Sequence, residues 1–317
     1  MDTFGRHFRM EIFGASHAPE VGVMLRGVPA SLKLEAGDFT ADLLRRKSGA
    51  KGTTPRIEDD LPLIDDRRGS DGTLTIRFAN RNYRDGDYAD FTDIPRPGHA
   101  DFVALAKYGS LRSGWFSGRM TLPLVAAGVV AKKLIAPVRI EARLSEIGGV
   151  PAAEAAAIDR LLDETTLAGD SLGGIIECRC TGVPTGLGEP FFDSLESLLA
   201  HALFSIPGIR GVEFGDGFAA ARMKGSEHND PFIDAAGHTA RNGAGGINGG
   251  ISNGNPIVLR IAAKPTSSIR KTQHTYDFTH DRMTDFSIPG RHDVCFALRV
   301  PPVAEAVVAC VLADLML

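Results

Sequence analysis

Two matching segments, one in each half of the chain, constrain the fold more than any other feature. Residues 21–25 (VGVML) lead into 27–32 (GVPASL), and residues 174–180 (GIIECRC) lead into 182–187 (GVPTGL). Each first segment has the length and apolar content of a buried strand, and the Gly and Pro that follow mark a turn. A helical pattern comes next in both places, over 38–47 and over 193–204. The pair therefore reads as a duplicated strand–turn–helix unit. Chance similarity of six-residue turns is the competing explanation, and the matching flanks weigh against it.

The helix over 193–204 is the better marked. Asp193 is its expected N-cap, Glu196 follows three residues later, and Leu195, Leu198, Leu199, Ala202 and Leu203 share one face that calls for packing on a sheet. After Pro301 and Pro302, apolar residues recur at 303, 306, 307, 310, 311 and 315, which predicts an amphipathic C-terminal helix. Residues 257–264 have strand character and 152–164 helical character. No low-complexity linker or long charge run separates these elements. The expectation is one α+β domain over 1–317.

Composition narrows the function classes. The first residues, MDTFGRHFRMEIFG, lack a basic flank and sustained apolar run, so no export signal is expected, and the apolar stretches near 122–131 and 303–317 are too short or interrupted to cross a bilayer. Cys178, Cys180, Cys295 and Cys310 form no C-x-x-C pair, and the nine histidines show no zinc spacing. Buried free thiols in a cytoplasmic, metal-free protein are expected. The formal net charge of −4 disfavours a nucleic-acid binder, so any anionic ligand must be held locally. The densest basic cluster, Arg45, Arg46, Lys47, Lys51 and Arg56, has Ser and Gly between its members and suits a loop around an anion, although a solvated surface loop has the same composition.

Several loops carry chemistry-bearing residues. Ser16 and His17 precede a predicted strand; His99 sits in PRPGHAD (95–101), where Arg96 and Asp101 could set the charge and tautomer of the imidazole. Residues 237–254 (GHTARNGAGGINGGISNG) hold glycines suited to close backbone approach, yet Asn248 breaks the dinucleotide-binding G-x-G-x-x-G spacing. No P-loop occurs. Lys264 with Thr266, Ser267 and Ser268 suits phosphate oxygens, and 290–293 (GRHD) brings a guanidinium, an imidazole and a carboxylate together. Each has an ordinary reading as a turn, a cap or a salt bridge; together they make a shared site plausible.

In order along the chain, the motifs TFGRHFR, RPGHADF, GDSLGG, GVPTGLGEP, GVEFGDGFAAARMKGSEHND, AGGINGGISNG, KPTSSI and GRHDVC, with Arg299, Pro302 and Glu305, resemble the chorismate synthase family from end to end. The resemblance implies a β-α-β sandwich with helices between antiparallel sheets, a pseudo-duplicated core and a homotetramer. It implies a lyase that performs a 1,4-anti elimination of phosphate from 5-enolpyruvylshikimate 3-phosphate, using reduced FMN without net redox change. Whether NADPH or an external reductant reduces the flavin is left open. By motif, His17 corresponds to the acid assisting the departing phosphate, His99 to the group at the flavin N1/O2 edge, and Asp293 to a relay toward N5 with Ser16 as partner. Flavin positions fall on Trp115, Phe116, Ser117, Pro207, Gly208, Gly249, Lys264, Pro265, Thr266, Ser267, Ser268 and Arg291. Substrate positions fall on Arg45, Arg46, Lys51 and Arg119.

Four departures accompany the match. Ala15 and Ala18 replace a glutamate and a glycine beside His17; SGWFSGRMT (113–121) replaces a glycine-rich loop; Lys51 stands where arginine is usual; and residues 138–169 are compact. Lysine cannot form the bidentate fork of arginine. The alternative to an active lyase is a flavin- or anion-binding paralogue with lost or altered activity.

Overall fold

The computed structural model describes residues 2–82, 91–111, 114–290 and 292–317. Its first half builds an antiparallel sheet from β1 (Thr3–Phe4), β2 (Arg9–Gly14), β3 (Glu20–Arg26), β4 (Leu63–Arg67) and β5 (Thr73–Ala79), in the order β1-β2-β3-β5-β4. The first-half helices are α1 (Thr40–Arg46), α2 (Asp101–Tyr108) and α3 (Thr121–Leu134). The second half adds β6 (Arg139–Ile147), β7 (Val150–Pro151), α4 (Ala155–Leu167), β8 (Gly174–Thr181), α5 (Leu195–Leu203), β9 (Ile209–Phe214) and the short α6 (Gly225–His228). A small hairpin, β10 (Ile247–Asn248) with β11 (Ile251–Ser252), precedes β12 (Ile257–Ala263). The hairpin β13 (Gln273–Asp277) with β14 (Arg282–Phe286) and the helix α7 (Pro301–Met316) complete it. The second sheet is also antiparallel, ordered β7-β6-β8-β12-β9.

The two matching segments occupy equivalent places. β3 and β8 are the middle strands of their sheets, and each leads through its G-V-P turn to a helix, an edge strand, a returning strand and a long buried helix. Gly27 and Gly182 take φ of +80° and +76°, a region open to glycine at little cost. At Gly27 a side chain is also excluded by space, since a β-carbon would sit 1.7 Å from the His7 carbonyl oxygen.

The helices α3 and α7 lie against each other between the sheets, α3 on β2, β3 and β5 and α7 on β6 and β8. This is the sandwich the resemblance implies, and it corrects one expectation from periodicity. The C-terminal helix is not amphipathic: every residue from Pro301 to Ala313 is buried, on all faces, because a helix in a middle layer has no side toward water. Its contact with α3 is close enough that Gly128 has no room for a β-carbon, which would fall 2.2 Å from that of Ala306. The expected N-cap of α5 also shifts by one residue. Ser194 accepts from the Ser197 N–H, while Asp193 ends a preceding 3-10 turn. The four cysteines are free and buried, Cys178 and Cys180 both on the inward face of β8.

Candidate active site

Loops from both halves of the chain surround one cleft with a cavity of about 940 Å³, at the upper end of the range for small-molecule sites. Its walls include Ser16 and His17 after β2, residues between α1 and β4, His99 before α2, Phe116–Arg119 before α3, the 264–268 segment after β12, and Asp293 and Arg299 before α7. Six cationic side chains and three carboxylates line it among the described residues, so the cleft is locally positive in a chain of net charge −4. Such an excess suits an anionic ligand.

The floor is a chain of buried ion pairs. Arg46, 2% exposed, sits at the end of α1 and donates from Nη2 to Asp60 Oδ2 at 2.5 Å. The other Asp60 oxygen accepts from Arg119 Nη1, and Arg119 Nε donates to Asn80 Oδ1 at 3.0 Å. Asn80 then donates from Nδ2 to the carbonyls of Ala15 (3.0 Å) and Ala18 (2.7 Å), bracketing the turn that carries Ser16 and His17. Arg56 donates to Glu58 at 2.8 Å and to Ser16 Oγ at 3.3 Å. Burial alone would raise the Glu58 and Asp60 carboxyls; the adjoining arginines, with the Arg81 and Asn82 N–H groups at Glu58, outweigh it and hold both below the usual range.

One guanidinium on this floor is not fully used. Arg46 Nε and Nη1 are buried with no hydrogen-bond partner, and burial draws its pKa down to about 10 despite the Asp60 charge. A buried donor without a partner costs about 1–3 kcal/mol. Thr266 Oγ1, also on the cavity wall, is a second buried group without a partner.

Across the cleft, His99 Nδ1 lies 2.6 Å from Asp101 Oδ1, and Arg96 binds both oxygens of Asp101 through Nε (2.6 Å) and Nη2 (2.8 Å). Arg96 Nη1 continues to Ser268 Oγ at 3.1 Å. Lys264 Nζ and Ser267 Oγ both donate to the Gly98 carbonyl, so the 264–268 segment and the His99 loop are tied at two points. Burial, with some repulsion from Arg210, lowers the Lys264 pKa. Phe91, Phe116, Phe286 and Phe296 supply apolar wall, with Phe116 edge-on to the His99 ring. Asp293 accepts from the Thr54 N–H at 2.8 Å and from Arg299 Nη1 at 3.1 Å.

Most sequence-predicted positions meet at this cleft, and some do not. Ser16, His17, His99, Asp293, Phe116, Ser117, Pro207, Gly208, Lys264, Pro265, Thr266, Ser267, Ser268, Arg46 and Arg119 line it. Trp115 does not; it is 41% exposed and packs edge-on to Tyr108. Gly249 lies at the exposed tip of the β10–β11 hairpin, also outside the lining. Arg45, one residue from Arg46, points elsewhere on the helix and forms a bidentate pair with Glu305 at 2.7 and 2.8 Å, while Lys51 pairs with Asp159 and Asp163 at the surface. Arg291 lies outside the described residues. Sequence reasoning did not single out Arg56, Glu58, Asp60, Asn80 or Arg299 as site residues. Arg56 was visible in the basic cluster, but nothing in a run of three acids, 58–60, marks Glu58 and Asp60 as the two that turn inward while Asp59 stays exposed.

Helices held between two antiparallel sheets, with a basic, aromatic-walled cleft carrying two histidines, define an enzyme built to hold an anionic small molecule. Comparison with known proteins makes this specific: the chain belongs to the chorismate synthase family, whose profile matches residues 8–317. It is 56% identical to a chorismate synthase of Chitinophaga pinensis over all of this chain and 97% of that one. It is 42% identical to one of Nitratidesulfovibrio vulgaris over all of this chain and 98% of that one. A solved structure titled as the crystal structure of chorismate synthase superposes with a TM-score of 0.74 at 26% identity, covering 99% of this chain and 92% of the other. Full-length matches to proteins of that name favour the lyase over the binding-only alternative.

Proposed function

We propose that the chain is a carbon–oxygen lyase that converts 5-enolpyruvylshikimate 3-phosphate into chorismate by 1,4-anti elimination of phosphate, with reduced FMN in the same cleft. The observation that carries this reading is the convergence of Arg46, Arg56 and Arg119 with His17 and His99 on one cavity. Family membership supplies the reaction class. The layer formed by α3 and α7, in contact with both sheets, supports reading 1–317 as one domain.

The residues present suit both ligands. Phe116, Phe296, Pro207 and Gly208 offer a flat, largely apolar border for a ring system, and Lys264 to Ser268 offer a cation and hydroxyls for polar edges. Reduced FMN, when bound, supplies transient electron density to the substrate and recovers it, so no net oxidation results. Arg46, Arg119 and Arg56 hold the substrate's phosphate and carboxylates. As phosphate departs its charge grows, and these guanidiniums stabilise that state more than the bound substrate. His17 delivers a proton to the departing phosphate. With the cofactor bound, His99 would exchange a proton at its N1/O2 edge, and Asp293, with Ser16, would form the relay toward N5.

Trp115, Gly249, Arg45 and Lys51 have no place in this scheme within one chain, and Arg291 keeps only its motif-based assignment. Exposed Phe191, Phe192, Phe218, Phe232 and Ile233 support assembly into a homotetramer. Among the described residues no helix is long and apolar enough to cross a membrane, and four buried free thiols suit a reducing cytoplasm. Reduction of the flavin falls either to this chain with NADPH or to a separate reductant.

The test is an anaerobic assay with chemically reduced FMN and 5-enolpyruvylshikimate 3-phosphate, following chorismate absorbance and released phosphate together. Matched formation of both is expected. Binding of FMN with a substrate-induced spectral change but no product would establish a binding protein instead. Repeating the assay with oxidised FMN and NADPH identifies the reductant.

A further inference from the structure

We propose that Asp101 is a positioning residue that fixes the tautomer and orientation of the His99 ring, so that Nε2 is the nitrogen presented to the ligand; this rests on His99 acting in the cleft as described above. Asp101 opens α2, and its side chain is only 2% exposed. Its Oδ1 stands 2.6 Å from His99 Nδ1. Two atoms that both carried only lone pairs would repel at that separation, so a proton lies between them.

The proton belongs to the imidazole. Arg96 donates to Asp101 three times, from its backbone N–H (3.1 Å), Nε (2.6 Å) and Nη2 (2.8 Å). Burial alone would raise the Asp101 carboxyl, but the hydrogen bonds from Arg96 and His99 outweigh it and hold the group well below the usual carboxylate range. Asp101 is therefore an acceptor, and Nδ1–H is the donor. Arg96 Nη2 also approaches Nδ1 at 2.9 Å, but a protonated Nδ1 has no lone pair to offer in the ring plane, so that contact is a consequence of sharing Asp101. Nε2 remains for the cavity that His99 lines.

An acid in the first turn of a helix commonly serves the free N–H groups there. Asp101 departs from that role: its bonds run back to Arg96 and His99, and no N–H of α2 donates to it among the described residues. The arrangement also reaches the opposite loop, since Arg96 donates to Ser268 while Lys264 and Ser267 bind the Gly98 carbonyl. Among the described residues, the charged groups at the ring nitrogen are Asp101 on α2 and Arg96 on its own loop, with Lys264 from beyond β12 on the adjacent Gly98 carbonyl. A buried carboxylate on Nδ1 of a working histidine is a recognised way to set its tautomer.

The experiment uses protein labelled with nitrogen-15 in histidine and long-range proton–nitrogen correlation spectra, taken over a pH series up to the neutral ring. His99 is assigned by its absence from His99→Gln. The expected pattern is a protonated Nδ1 and a bare Nε2; a protonated Nε2 in the parent would overturn the proposal without any variant. In Asp101→Asn the Nδ1–H tautomer should lose its dominance, and kcat should fall about 100-fold or more, with FMN affinity within about threefold and partial recovery in Asp101→Glu. Loss of the tautomer with unchanged kcat would equally sink the positioning role. A parent with the expected tautomer but no lyase product would overturn the reaction assignment while upholding the ring's placement.

Discussion

Replacing Arg46 with Met should weaken substrate binding while leaving the protein as stable as before, or more stable. The side chain is fully buried, and only Nη2 has a partner. Burial draws the guanidinium down to about 10, which against its ordinary value is a penalty on the charged form of about 3 kcal/mol. Because the group is a base with a lowered folded-state pKa, that penalty acts throughout the neutral range and lifts only as pH rises through about 10. Removing one member of a buried pair usually leaves the other charge stranded, at about 3–5 kcal/mol. Asp60 is spared most of this, since Arg119 still holds its other oxygen. The two terms nearly offset, and Met fills much of the vacated space, so urea midpoints should agree within about 1 kcal/mol or favour the variant. A charge-assisted bond to a ligand phosphate contributes about 1.5–3 kcal/mol, so KM or the substrate Kd should rise about ten- to a hundredfold. Denaturation and steady-state kinetics on the same preparation decide the matter. A loss of several kcal/mol with unchanged KM would mean that Arg46 is an internal strut and not part of an anion cradle.

Arg45→Ala should do the reverse of Arg46→Met, lowering stability by about 1–2 kcal/mol with KM unchanged, because it removes the bidentate partner of buried Glu305 but leaves Lys132 and the Ala142 N–H; a raised KM would return Arg45 to the substrate site. Gly128→Ala should cost about 1–3 kcal/mol or more in urea denaturation, since its β-carbon meets Ala306 at the α3–α7 contact, and a neutral result would show that the helix layer can spread. Burial pushes the Cys295 thiol up to about 11 and Cys310 further, and all four cysteines are buried, so a thiol reagent at about pH 8 should label none until denaturant is added. Labelling of the native protein would show that the core opens.

The sequence alone determined the repeated unit, a few of the strands and helices, and the loops that carry chemistry. Those features are local: a strand and its turn are specified by apolar content, β-branching and the positions of Gly and Pro, and a long ordered set of motifs survives only in one family. Tertiary structure decided the direction of each side chain. Arg45 and Arg46 are neighbours of the same charge, yet about 100° of helical turn sends one to Glu305 and the other to the cavity. Glu58, Asp59 and Asp60 are alike in sequence, and only the last bridges two buried arginines. The C-terminal helix looked one-sided because its pattern was read against water, whereas a second sheet covers its other face. Asn80 carried no signal, because its role comes from meeting the carbonyls of Ala15 and Ala18 and the guanidinium of Arg119 at once. Spacing in a sequence encodes what lies within a turn or two of helix or strand; which distant groups share one buried volume is set only when the sheets close on the helices.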